Sequence, residues 1–248
     1  MAIVQDGARG HYGLAAALQR AGVLERVYTD WYAPPGSAAA GVSKVVRLAA
    51  PRLGQNMLDR HSEHLDASRV ESSAPLMFRL QLGRSRHPSA ADYYAWASAI
   101  TGRWVLRRGF AEANVLLGFI RNIDPDLCRV ARQRGLVTVG DQMIAPAATE
   151  MREMQLQQQR WPGWETGDVE SAAFYQAIDR QERRTWEQLD HMICPSDYVK
   201  QEMVRHGVDG SRVSVVHYAV DDSVFTFEDR GGRRGPLVVG FAGSVGLR

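Results

Sequence analysis

The stretch NVLLGFIRNIDPDLCRVARQRGLVTV, residues 114–139, decides the fold class of this chain. Two short apolar runs, Asn114–Leu117 and Leu136–Val139, have the composition of buried strands. Between them, Asp124–Arg134 has a helical pattern that begins at an Asp-Pro pair and stops at Gly135. Strand, helix and strand within so short a distance predict a βαβ unit, whose two strands are parallel.

The same alternation continues on both sides of this unit. We expect further strands at Ala2–Val4, Glu25–Thr29, His191–Cys194, Val213–Val216 and Leu237–Ala242. We expect helices at Tyr12–Ala21, Ser89–Arg108, Ala147–Arg160, Val169–Leu189 and Tyr198–His206, and a loop at the Pro- and Gly-rich residues Trp31–Gly41. Alternating strands and helices predict an α/β fold, a Rossmann-like doubly wound parallel sheet with helices on both faces.

Composition excludes several classes of protein. The 248 residues carry 30 Lys and Arg against 28 Asp and Glu, a net charge of +2 that does not favour nucleic-acid binding by the whole molecule. Cys128 and Cys194 lack CxxC spacing and a nearby His cluster, so neither a disulfide framework nor a metal site is expected. No signal peptide or spanning segment is recognisable. These features predict a cytoplasmic protein.

The segment Gly41–His61 is basic and amphipathic. Its cations alternate with apolar residues at helical spacing, and Pro51 is expected to break the helix. The pattern fits a half-buried surface helix with a solvated basic face. It also fits peripheral contact with an anionic lipid surface at the inner face of a membrane, and the sequence leaves both open.

A glycine-rich turn follows the first strand and reads GARGHYG, Gly7–Gly13. Glycines between a strand and a helix let the backbone approach an anion near the helix N-terminus. The spacing is not the dinucleotide-binding GxGxxG, so the turn is either a phosphate site or a tight turn without a ligand.

The last residues predict a boundary between domains. Residues 228–236 have the polar, glycine-rich composition of a linker, and residues 237–248 resemble a first strand entering another glycine-rich turn. We therefore expect one domain over residues 1–227 and the truncated beginning of a second over residues 237–248.

The segment Asp190–Phe225 is the most specific part of the chain, reading DHMICPSDYVKQEMVRHGVDGSRVSVVHYAVDDSVF. Its order of strand, Pro-Ser-x-aromatic, helix, Gly-Val turn, strand and closing VDDSVF resembles the first domain of family 4 glycosyltransferases of GT-B architecture. Residues 141–165 are similar to an acceptor-side segment of some members, and LVVGFAGSVGLR resembles the first strand of the family's second domain.

The resemblance implies an acceptor-binding half of a retaining, metal-independent enzyme that uses a nucleotide-sugar donor as co-substrate, without another cofactor. The acceptor would be a saccharide, a lipid-linked molecule or a small molecule. The residues implied at the donor phosphates are Gly7, Gly10, His11, Gly243, Ser244 and Arg248. Without half of the donor site, this chain alone is expected to be inactive.

One departure concerns the acceptor side. Many members carry a His at the end of the fourth or fifth strand, whereas the corresponding ends here read LLGFI and TVGDQ. Asp141 could act there as a general base, since a carboxylate at a strand's carboxyl end points into the cleft, or it could cap a turn. His191 and His217 are expected to be structural. Two further functions stay open, a non-catalytic phosphate-binding module and a nucleotide-sugar epimerase of the same architecture.

Overall fold

The structure is a computed structural model that describes residues 1–164 and 171–219, with the single residues 226 and 240. In this part of the chain, one sheet contains all the strands: β1 (Ala2–Val4), β2 (Arg26–Thr29), β3 (Val70–Ser72), β4 (Val115–Phe119), β5 (Val137–Asp141), β6 (His191–Cys194) and β7 (Val213–Val215). All neighbouring strands are parallel, in the order β3-β2-β1-β4-β5-β6-β7. The predicted α/β, Rossmann-like fold class is confirmed.

Helices connect these strands across both faces of the sheet. They are α1 (Gly13–Arg20), α2 (Ala38–Ala49), α3 (Pro51–Leu58), α4 (Ala74–Gly83), α5 (Ala90–Arg108), α6 (Pro125–Gln133), α7 (Ala147–Arg160), α8 (Ala172–Gln188) and α9 (Asp197–Arg205). Local chemistry sets many ends. Asp124 accepts a hydrogen bond from the N–H of Asp126 at the start of α6, and Gly135, at φ 84°, follows its end.

The sheet separates two parts of the core. Ala2, Val4 and Leu116 face one layer, which contains Leu127 of α6 and Met203 of α9. Ile3, Val27 and Leu117 face the other, with residues of α1. Successive strand residues alternate between the faces, so a sheet covered on both sides needs the continuous apolar runs seen in the sequence.

Two parts of the sequence prediction need correction. Residues 38–41 were expected in a loop but form the first turn of α2, because the Ser37 side chain accepts a hydrogen bond from the N–H of Ala40. No elements were predicted between residues 62 and 88, where β3 and α4 lie. The edge strand β3 has only three residues, Val-Glu-Ser, too few for a periodic signal.

The predicted domain boundary, the linker 228–236 and the strand Leu237–Ala242 lie outside the described residues, apart from residue 240. They stay predictions. The break in the basic segment is confirmed, since α2 ends at Ala49 and α3 begins at Pro51. No helix in the described part of the chain is long and apolar enough to cross a membrane.

Candidate functional site

The strand order reverses direction between β1 and β4. From β1 the chain adds β2 and then β3 on one side, and it returns to place β4 on the other. In open α/β sheets, ligands bind outside the carboxyl ends of the strands at such a switch point. The segments that leave these two strands, residues 5–13 and 120–124, therefore border the expected ligand crevice.

The predicted glycine-rich turn is a strained loop at this edge. Gly7 has φ of 67°, and Gly10, His11 and Tyr12 follow with φ of 51°, 47° and 61°. Left-handed backbone at a non-glycine residue costs about 1–2 kcal/mol, so this conformation persists only where its surroundings enforce it. Strain of this kind clusters at functional sites, which favours a ligand-binding role for the loop.

Two polar side chains, Gln5 and Asp30, hold the loop by hydrogen bonds. The buried Gln5 donates to the carbonyl oxygens of Gly7 and Arg9, at 3.0 and 3.1 Å. Asp30, at the end of β2, accepts the N–H of Gly7 at 2.9 Å and an ion pair from Arg60. The N–H of Gly7 is thus already bonded to Asp30. Gly7 would therefore contribute to phosphate binding by setting the backbone conformation of the loop.

The loop leads into a helix start without a side-chain cap. Tyr12 precedes α1, but its hydroxyl donates to the carbonyl of Trp31, and no side chain caps the helix. Uncapped N–H groups and the positive end of the helix dipole favour an anion. His11 is exposed beside this helix start, so the structure places Gly7, Gly10 and His11 together at the site edge.

A hydrogen bond bridges the two sides of the switch point. Asp6, two residues after β1, accepts from the amide nitrogen of Asn122, beyond β4, at 2.9 Å, and it pairs with Arg9 at 3.2 Å. Desolvation, opposed by Arg9 and reinforced by Asp30, raises the pKa of Asp6. Arg9 also lies over the ring of Phe119, 5.5 Å from its centroid. This cluster ties the loop after β1 to the end of β4.

A cavity of about 330 Å³ opens beside that cluster. Its polar groups come from Arg9 of the loop, from Arg121 and Asn122 beyond β4, and from Asp141 and Gln142 at the end of β5. Much of the remaining wall is apolar or aromatic and comes from Tyr94, Phe119, Ile120, Met143, Ile144, Phe174 and Ile178. An apolar enclosure with a few convergent polar groups is the usual form of a small-molecule site.

Asp141 is the titratable group of this cavity whose pKa changes most. Burial raises the pKa of its carboxyl from 3.8 to about 6. No Lys, Arg or His of residues 1–164 and 171–219 lies within ion-pair distance of it. Tyr218 is close enough that its pKa is raised, by burial first and by the charge of Asp141 second. A carboxylate with a pKa near neutrality is suited to accept a proton.

A buried polar network forms the floor of the cavity. Glu182 of α8 is fully buried, and its carboxylate accepts from Arg121 at 2.6 Å, from Gln142 at 2.9 Å and from the N–H of Ala147 at 2.7 Å. Arg121 also pairs with Glu150 at 2.6 Å. Burial alone would lower the pKa of Arg121, but the two carboxylates outweigh it and raise that pKa. Arg121 is therefore fixed by its own partners, and its role here is structural.

Of the glycine-rich loop, Arg9 lines the same cavity as Asp141, whereas Gly7, Gly10 and His11 are not among the lining residues. Gly243, Ser244 and Arg248 lie outside the described residues. His217 lies beyond β7, where its Nδ1 contacts the carbonyl of Pro195 at 2.9 Å, and His191 is exposed on β6. Within the described residues, no cluster of three or more His, Cys, Asp or Glu side chains could hold a metal ion.

Sequence reasoning missed Arg9, Asn122, Asp30 and Arg60. Arg9 lies inside the quoted GARGHYG turn, so its place between two glycines could have marked it. The other three have no local signal. Asn122 lies 116 residues from its partner Asp6, and Arg60 lies 30 residues from Asp30.

The fold and the site define a Rossmann-like domain with a cavity at its switch point. The family model described as Glycosyltransferase Family 4 matches residues 164–224. The resemblance of this segment to family 4 glycosyltransferases is confirmed. The acceptor-side similarity of residues 141–165 lies almost entirely before the match and stays a prediction.

No curated protein matches the chain. Among solved structures, the chain is similar to a UDP-glucosyltransferase from Polygonum tinctorium, in a complex with 3,4-dichloroaniline and described as capable of glucosylating indoxyl. The two share 12% sequence identity with a TM-score of 0.38, over 88% of this chain and 52% of that one. The chain thus spans about half the length of that structure.

Proposed function

We propose that this chain is the acceptor-binding half of a retaining, metal-independent glycosyltransferase that uses a nucleotide-sugar donor. The observation that carries the proposal is the cavity shared by Arg9, from the strained loop, and Asp141, at the end of β5. The family 4 match over residues 164–224 supports the same class of activity.

In the proposed reaction, the acceptor lies in the cavity with one hydroxyl at Asp141. Its oxygen forms a bond to the anomeric carbon of the donor sugar on the face from which the diphosphate departs, while the bond from that carbon to the diphosphate oxygen breaks, so the configuration is retained. The electron pair of the broken bond stays on the diphosphate, and Asp141 takes the hydroxyl proton. A pKa of about 6 leaves Asp141 ionised at neutral pH and ready to accept that proton.

The diphosphate gains negative charge as it leaves, and oriented N–H groups with cations stabilise such charge. On this chain the uncapped start of α1, with Gly10 and His11 before it, would face the phosphates. Gly7 would shape the loop. Gly243, Ser244 and Arg248 would complete the phosphate site in the second domain. The short chain alone would then bind acceptor without turnover.

The test uses the protein with its second domain. Labelled nucleotide sugars are screened for transfer and for donor hydrolysis, and Asp141→Asn is compared with Asp126→Asn, an exposed carboxylate on α6. We expect Asp141→Asn to lower the transfer rate about 10²–10⁴-fold and Asp126→Asn to leave the transfer rate unchanged. Full activity in Asp141→Asn would remove Asp141 from the mechanism.

Donor binding without transfer or hydrolysis would instead favour the phosphate-binding module, and interconversion of two nucleotide sugars would favour the epimerase. The anomeric configuration of the product, read by NMR, tests retention. Unchanged activity in a chelator tests metal independence.

A further inference from the structure

The helical hairpin α2–α3 leaves the sheet and returns to it at one point. The chain departs at the carboxyl end of β2, and Arg60, just beyond α3, comes back to pair with Asp30 while its carbonyl accepts the N–H of Ala33 at 2.8 Å. The hairpin is therefore based at the same edge of the sheet as the candidate site.

One side of the hairpin packs against the protein. Trp31, Ala40, Met57 and Met77 form a buried cluster between this hairpin and α4. The hydroxyl of Ser43 is inside as well, where it accepts from the indole nitrogen of Trp31 at 3.2 Å. The two helices touch closely, because a Cβ at Gly54 would come within 2.3 Å of the Arg47 backbone. The hairpin is thus a rigid projection.

The other side of α2 exposes large apolar residues. Val45 is 67% and Leu48 85% solvent-exposed, and Val42 is 42% exposed. Val45 and Leu48 are one turn apart, and helical geometry puts both on the side of α2 away from buried Ser43. Full exposure of a leucine on a rigid helix opposes the hydrophobic effect, so contact with an apolar phase would stabilise this surface.

The two helices carry charges of a single sign, and the nearest carboxylate along the chain, Asp59, follows α3 and accepts from the side chain of Gln55. Residues 38–58 contain Lys44, Arg47 and Arg52 and no acidic residue. All three cations are exposed, and within the described residues none pairs with a carboxylate. The chain as a whole is nearly neutral at +2, so this concentration of unpaired cations beside apolar side chains is local. Its complement is an anionic surface with an apolar layer beneath.

We propose that the hairpin surface formed by Val42, Val45, Leu48, Lys44, Arg47 and Arg52 docks onto an anionic lipid bilayer. Leu48 and Val45 enter the boundary between headgroups and acyl chains, and the three cations contact lipid phosphates. Because the hairpin is based at the carboxyl edge of the sheet, docking brings the candidate site near the lipid surface. This inference does not depend on glycosyl transfer.

The test is flotation of the protein with vesicles of phosphatidylcholine alone or of phosphatidylcholine mixed with phosphatidylglycerol, an anionic lipid. We expect binding to the anionic vesicles only, and release as salt rises toward about 0.5 M. The double variant Val45→Ser with Leu48→Ser, and the triple variant Lys44→Gln, Arg47→Gln and Arg52→Gln, should each bind at least about tenfold more weakly.

Matched controls change the same chemistry elsewhere. Leu156→Ser with Val204→Ser removes two exposed apolar residues on α7 and α9, and Arg20→Gln, Arg107→Gln and Arg180→Gln removes three exposed cations. Circular dichroism and thermal melting are used to check that each variant is folded. Controls that bind like the unmodified protein support the proposal.

Three results would overturn it. One is no binding to anionic vesicles by the unmodified protein, and another is equal loss in the control and hairpin variants. The third comes from sedimentation: self-association that Leu48→Ser abolishes, without lipid binding, would assign this surface to a second copy of the chain.

Discussion

Asp30 and Arg60 form an ion pair at the carboxyl end of β2, and the same Asp30 carboxylate accepts the N–H of Gly7 at 2.9 Å. The pair therefore connects the end of the α2–α3 hairpin to the glycine-rich loop after β1. Both side chains are mostly buried, at 10% exposure for Asp30 and 26% for Arg60. A movement of Arg60 would therefore be transmitted to Gly7 through the ion pair and the hydrogen bond of Asp30.

Removing this pair should loosen the loop. In Arg60→Gln the Asp30 carboxylate loses its cation, which we expect to lower the free energy of unfolding by about 1–3 kcal/mol. Hydrogen exchange of the Gly7 amide should become faster. Arg129→Gln, which breaks an exposed pair with Asp126 on α6, is the control and should change neither quantity measurably. Unchanged Gly7 exchange in Arg60→Gln would show that Asp30 holds the loop without help from Arg60.

The left-handed backbone of Gly10 gives a second prediction. No atom lies within 4 Å of a Cβ built at Gly10, so a substitution there changes conformation rather than packing. Gly10→Val should displace the loop and abolish binding of a nucleoside diphosphate, measured by calorimetry on the protein with its second domain. Asn tolerates a positive φ, so Gly10→Asn should retain most of the binding. Equal loss in both variants would mean that side-chain volume, not φ, decides.

Asp141 connects function with stability. Burial raises the pKa of its carboxyl from 3.8 to about 6, so ionisation is less favourable in the folded state than in the unfolded state. Well below pH 3.8 the group is neutral in both states and does not affect stability. Between about pH 3.8 and 6 the unfolded chain ionises while the folded protein keeps the proton, so stability falls across this range and stays lower above it.

Asp141→Asn should therefore stabilise the protein at pH 7.5, by about 1–2 kcal/mol once partial hydration of the carboxylate is allowed for. Thermal or urea unfolding should show this gain at pH 7.5 and little of it at pH 4. A variant with the same gain at both pH values would refute the raised pKa. In the unmodified enzyme, the transfer rate should fall as the pH drops below about 6, since Asp141 then becomes protonated.

Glu182 supports the cavity floor by a different means. Its carboxylate accepts hydrogen bonds from Arg121, Gln142 and the N–H of Ala147. Glu182→Ala would therefore leave the Arg121 guanidinium with one carboxylate fewer. We expect a loss of about 3–5 kcal/mol in the free energy of unfolding, measured by urea denaturation. Glu187→Ala, at an exposed position of the same helix, should cost less than about 0.5 kcal/mol. Comparable losses in the two variants would contradict the assigned network.

The sequence by itself determined the order of most elements. Residues 114–139 predict the βαβ unit because its signals are all local: two short apolar runs, an Asp-Pro helix start and a glycine at the helix end. The family resemblance at residues 190–225 also depends on contiguous residues. The edge strand β3 escaped prediction, since three residues with a central Glu give no periodicity.

Only the tertiary structure decided which residues share a site. Asp141 was named from its place at a strand end, but its pKa is raised because the fold buries its carboxyl. Asp6 and Asn122 meet because parallel strands bring their carboxyl ends to one edge whatever their separation along the chain, and Asp30 meets Arg60 because the α2–α3 hairpin returns to that edge. Periodicity reports which face of an element is buried, whereas a pairing between two polar side chains depends on how whole elements pack, and no local pattern encodes that.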